Sequence, residues 1–204
     1  MESVTDSLTQ ECLKNAFNKI TAEKLKVSIN KLYQQTFVGI NKVHNLQIKE
    51  ASSIQDPLGI QVPARSARSS TDSTLWIIEL NSGFNVQFTE EVWGIIIAHE
   101  LVHSFIDMND LDFGPASSFS SSHQTMLDKW ILQLQELMVE AFGISTNDAL
   151  ALSLQGFDDI LMNTSGDFKQ DMKDWINTTY SINLVDAGQI MDEYMAQTKG
   201  TKCN

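Results

Sequence analysis

His99-Glu100-Leu101-Val102-His103 is the stretch that most constrains how this chain can fold. It lies between the apolar run Trp93-Gly-Ile-Ile-Ile-Ala98 and Ser104-Phe-Ile106. Read as a helix, histidines at i and i+4 share one face, one turn apart. Two imidazoles so placed can share a tetrahedral Zn²⁺ at roughly 2.0–2.1 Å each. Glu100 then stands beside the metal rather than on it, where it can take a proton from water. A five-letter pattern can arise by chance in a helix with two histidines. Here it sits mid-helix in an apolar stripe, where a buried metal site would be built.

An open zinc site takes three protein ligands and leaves a fourth position for water. The chain has four histidines: His44, His99, His103 and His123. His123 opens a periodic segment from Gln124 to Phe142, with Met126, Trp130, Ile131, Leu134, Leu137, Met138 and Ala141 on an apolar stripe. Ser117-Ser-Phe-Ser-Ser-Ser122 reads as a loop ending in a helix cap. Two helices joined by a loop of roughly 15 to 20 residues would let the first turn of the second deliver His123 to the first. The rivals are Glu136 and Glu140 on the same second helix, and Asp107, Asp110 and Asp112 nearer in sequence. Asp107 is one turn past His103 and too close to swing back. The plain alternative for His123 is a loop histidine capping a helix. His44, in the alternating Val43-His-Asn-Leu-Gln-Ile48, reads as a polar-face residue.

Ile96-Ile-Ala-His-Glu-Leu-Val-His-Ser-Phe105, followed by His123-Gln-Thr-Met126, resembles the SprT-like group of zinc metallopeptidases, in particular SprT-like domains of bacterial proteins of unassigned role. The resemblance covers roughly residues 74 to 143. It implies an α+β, zincin-like fold: a small β-sheet packed on the active-site helix, with a mainly helical C-terminal half. It implies His99, His103 and His123 as zinc ligands and Glu100 as catalytic base. The implied activity is that of a zinc metalloendopeptidase, acting on a protein or peptide substrate as a monomer. Tyr180 and Tyr194 are candidates, by residue type, for stabilising the oxyanion. Asp128 is a candidate to orient a ligand, or simply a helix-face aspartate. The alternative is a non-catalytic zinc-binding interaction domain, or an effector domain at the end of a larger bacterial protein. Retention of Glu100 favours catalysis, since a structural zinc does not need it.

Fourteen basic against twenty-six acidic residues give a formal charge of −12. That repels phosphate backbones, so nucleic acid is not an expected partner. Lys14, Lys19, Lys24, Lys26, Lys31 and Lys42 gather in the N-terminal quarter and read as a solvated helix face. No apolar run of about 18 residues exists, so no membrane partner is expected. Cys12 and Cys203 are the only cysteines, near opposite ends of the chain. Their spacing excludes a metal knuckle. A bridge tying the termini together is physically sensible, with two free thiols as the alternative. A bridge would argue for a secreted or cell-surface protein, its absence for a cytoplasmic one. Asn163-Thr-Ser and Asn177-Thr-Thr match the N-glycosylation pattern.

The chain reads as one domain over 1–204: N-terminal helices over 1–42, sheet and active-site helix over 43–108, and a helical part over 123–198. Residues 5–19 and 21–36 read as helices and 43–50 as a strand. Residues 51–73 read as loop, with a short strand at 59–62. Residues 74–81 read as a strand, either packed on the metal helix or offering an edge to an extended peptide. The metal helix is expected over 89–108, with Glu90 and Glu91 favourable in its first turn. Helices follow at 123–142, 147–163, 168–178 and 183–198.

Overall fold

Trp76, Ile78 and Leu80 alternate with Leu75, Ile77 and Glu79, the period of a strand with one buried face. A computed structural model describes residues 4–39, 42, 44–56, 58–108, 119–155 and 167–203. In it the chain is α+β, and that segment is the strand at the heart of its sheet. The strands are β1 (Val4–Ser7), β2 (Asn45–Ala51), β3 (Ala64–Arg68) and β4 (Leu75–Asn81), in the order β1-β2-β4-β3. β1, β2 and β4 run parallel, and β3 runs antiparallel to β4. Leu46, Ile48, Trp76, Ile78 and Leu80 are all buried on one face. The other face carries an ion-pair row set by register: Glu79 lies opposite both Lys49 and Arg65. Lys49 Nζ is 3.1 Å and Arg65 Nη2 2.6 Å from its carboxylate. Partial burial raises the Glu79 pKa, but the bonds from Arg65 and Lys49 outweigh it and leave the group below its usual range.

The helices pack on one another, and one of them packs on β3 and β4 of the sheet. They are α1 (Glu11–Ile20), α2 (Ser28–Tyr33), α3 (Glu90–Met108), α4 (Phe119–Phe142), α5 (Thr146–Ser153), α6 (Asp167–Tyr180) and α7 (Leu184–Met195). α1 buries Leu13, Ala16, Phe17 and Ile20, the i, i+3, i+4, i+7 stripe of an amphipathic helix. α3 is different: fifteen of its residues are buried, so other elements surround it. Gly94 permits one close approach. A Cβ there would lie 2.4 Å from the Phe142 ring at the end of α4. No helix among the described residues is long and apolar enough to cross a membrane.

Several segments depart from the sequence reading. Val4–Ser7 is an edge strand rather than the start of a helix, because pairing with β2 overrides a short segment's own preference. α1 and α2 are separated by residues 21–27. The Asn30 side chain donates to Ile20 O at 3.1 Å and the Gln34 side chain to Thr21 O at 3.1 Å, so α2 and the residue after it satisfy the end of α1. The expected loop over 51–73 contains β3, while 59–62 contributes only the isolated bridge Gln55–Gln61. Ala-Arg-Ser-Ala-Arg is a poor strand sequence alone, and its state comes from pairing with β4. β4 has neighbours on both sides, so it offers no edge; the edges are β1 and β3, and β3 is the one that packs against α3. The predicted helix over 147–163 is α5 over its first part; residues 156–166, with Asn163, lie outside the described residues, as do Asp110 and Asp112.

The C-terminal segment returns to the N-terminal end of α3. Thr89 and Lys202 form a β-bridge, and Glu90 N donates to Thr201 O at 2.9 Å. Cys12 and Cys203 are joined in a disulfide with their Cα atoms 5.4 Å apart, as the reading of the two cysteines allowed.

Candidate metal centre

Glu90 and Glu91 favour helix initiation at the positive end of the α3 dipole, and the apolar residues that follow hold α3 in the interior. His99 and His103 lie on one face of it. His123 enters from the first turns of α4, which packs against α3. His123 and His99 are buried and His103 is half-buried. Their Nε2 atoms form a nearly equilateral triangle: 3.1 Å between His99 and His123, and 3.0 Å for each of the other two pairs.

Hydrogen bonding among the three rings cannot satisfy that triangle. An imidazole nitrogen bearing hydrogen has no lone pair left to accept with. However the hydrogens are placed on the three Nε2 atoms, at least one pair is donor against donor or lone pair against lone pair. A cation accepting three lone pairs removes the conflict. Nitrogen ligands of a tetrahedral zinc, at roughly 2.0–2.1 Å each, stand about 3.3 Å apart. The observed separations are within a few tenths of an ångström of that. Burial, then the charges of His103 and His123, hold the His99 pKa well below its ordinary value, which favours the neutral ring that a metal requires.

Among the described residues, His99, His103 and His123 are the three whose potential ligand atoms converge. The rival carboxylates among the described residues do not join them. Glu136 and Asp107 are exposed, and Glu140 accepts a bond from Lys26 N at 3.1 Å. His44 stands just before β2, outside the group.

Glu100 follows His99 by one residue and is not among the converging ligands. Ser66 on β3 stands beside its carboxylate. Burial raises its pKa to about 7, against the lowering influence of the Ser66 hydroxyl and backbone N–H and with a smaller upward push from Asp107. The ladder explains why Ser66 N–H is available. Asn81 N donates to Pro63 O at 2.8 Å, and Ser69 N donates to Leu75 O at 2.9 Å. Antiparallel pairing alternates, so 63, 65, 67 and 69 turn their backbone groups to β4, while 64, 66 and 68 turn theirs to the free edge. Ser66 had no motif to announce it; the alternation of Ala64, Ser66 and Arg68 with Arg65 and Ala67 was the only trace.

The two tyrosines are committed elsewhere. Tyr180 Oη donates to Leu127 O at 2.7 Å, bracing α4 one turn beyond His123. Tyr194 Oη lies 3.3 Å from Asp148 Oδ2, in the cluster near the start of α3. Asp128 is exposed on α4. Compared with protein-family models, with curated proteins and with solved structures, the chain has no significant match. The likeness to SprT-like domains therefore rests on the motif residues.

Proposed function

We propose that this chain is a zinc metalloendopeptidase with a zincin-like site, hydrolysing peptide bonds in a protein or peptide substrate. The observation that carries the reading is the convergence of three Nε2 atoms beside a glutamate that is not a ligand. His99, His103 and His123 would hold the ion. Bound there, zinc would supply Lewis acidity and make water a competent nucleophile near neutral pH. Glu100 accepts the proton of the attacking water and returns it to the leaving amine. Ser66 stands beside the carboxylate and favours its charged form, the form that takes up the proton. The outward backbone groups of Ala64 and Arg68 are suited to pair with an extended peptide, which holds substrate with little sequence preference. The Cys12–Cys203 bridge supports a secreted or cell-surface location.

The test is Glu100→Gln, which preserves size and hydrogen-bonding shape but cannot take up the proton. It should keep zinc and fold while cleavage of a broad peptide library falls about a thousandfold or more. Equal trace cleavage by wild type and variant would mark a contaminant and favour a non-catalytic zinc-binding module.

A further inference from the structure

We propose that Arg68 is a specificity residue that recognises a carboxylate on a substrate peptide lying along the β3 edge. The inference rests on the peptidase reading and adds the chemical class of the substrate. Ser66 and Arg68 share one face of β3, opposite Ile78 and Trp76 in the register. They are two residues apart, so Arg68 stands roughly 6.6 Å along the strand from the residue beside Glu100, on the strand that packs against α3. An extended peptide whose scissile bond lies at Glu100 therefore passes Arg68 about two residues from that bond.

The state of Arg68 fits this role. Its guanidinium lies 5.1 Å from the ring of Trp76, which is itself 2% exposed, so the cation rests on an anchored platform. Arg68 is exposed and has no ion-pair partner among the described residues. Arg65, on the opposite face of the same strand, is the contrast. It is neutralised by Glu79 at 2.6 Å. In a chain of net charge −12, an unneutralised arginine on the edge beside Glu100 selects for anions against the field of the whole molecule. A planar fork on a stacked platform suits a carboxylate.

Two carboxylates share that chemistry: an Asp or Glu side chain, and a free C-terminus. Calorimetric titration of the full-length Glu100→Gln protein with three neutral-background heptapeptides separates them. One carries an interior glutamate and an amidated end, one a free C-terminus without acidic residues, and one is neutral and amidated. At least one carboxylate peptide should bind about tenfold more tightly than the neutral one, and Arg68→Gln should reduce the difference to about twofold or less. Arg65→Gln should leave the preference intact. Whichever carboxylate peptide shows the preference identifies the source. Equal binding of all three, no binding of any, or a preference that survives Arg68→Gln or vanishes equally in Arg65→Gln overturns the proposal. Cleavage of the same peptides by zinc-loaded wild type is scored separately, so failure of catalysis and failure of carboxylate recognition give different results.

Discussion

Two polar clusters are buried along the single helix α3, and they are built on opposite principles. At its N-terminal end each carboxylate meets a cation or a hydrogen-bond donor. Glu90 Oε1 pairs with Lys19 Nζ at 2.5 Å, and Glu91 accepts bonds from Thr201 N at 2.8 Å and Thr201 Oγ1 at 2.9 Å. Nearby, Asp148 takes Lys199 at 2.7 Å. Gly200 lets the tail pass: its φ is +82°, and a Cβ would lie 2.6 Å from Glu91 Oε2. The disulfide then ties this clasp to α1. About two to three and a half turns further along, three identical rings turn their Nε2 atoms on one another. A cluster of opposites holds structure. A cluster of like groups converging on one point could hold a metal ion.

The comparison breaks most sharply on metal content. Purified wild type should carry about one zinc per chain, and His99→Ala, His103→Ala or His123→Ala should each bring it below about 0.2 after supplementation, by elemental analysis. If the His123 variant keeps its zinc while Glu136→Ala or Glu140→Ala loses it, the third ligand is misassigned. In the metal-free protein the same reasoning expects His103→Ala to change unfolding free energy by no more than about 1 kcal/mol, because it relieves a conflict between like groups.

The clasp should respond the other way. The bridge spans a sequence separation of 191 residues, which the chain-entropy model values at about 5 kcal/mol. Paired Cys12→Ser and Cys203→Ser substitutions should lower stability by an amount approaching that, seen in denaturant midpoints, with zinc per chain unchanged. Free thiols detected by maleimide labelling of the native, oxidised protein would remove the bridge itself. Within the clasp, the smaller effect belongs to Glu91→Gln. It keeps an acceptor for Thr201 but removes the charge, so a loss of about 1–2 kcal/mol is expected, again with zinc retained. A clasp substitution that emptied the metal site would show that the two ends of α3 are not separable.

The helix α3, two of its ligand candidates and its catalytic-base candidate were legible because helix periodicity makes i and i+4 neighbours whatever surrounds them. His123 was legible through the apolar stripe it opens, and Glu136 and Glu140 dropped out because neither joins the converging group. The cysteine pair could be proposed from its position near the two ends and little else. β1 and β3 were not legible: neither Val-Thr-Asp-Ser nor Ala-Arg-Ser-Ala-Arg prefers a strand strongly, and both take that form from partners about 40 and 10 residues away. Ser66 and Arg68 were hidden for the same reason, since a residue's place beside Glu100 follows from strand pairing and edge direction. Local chemistry repeats along the chain and can be read there. Which strand is the edge, which rings converge and which charges are already neutralised depend on contacts distant in sequence, and only the folded chain decides them.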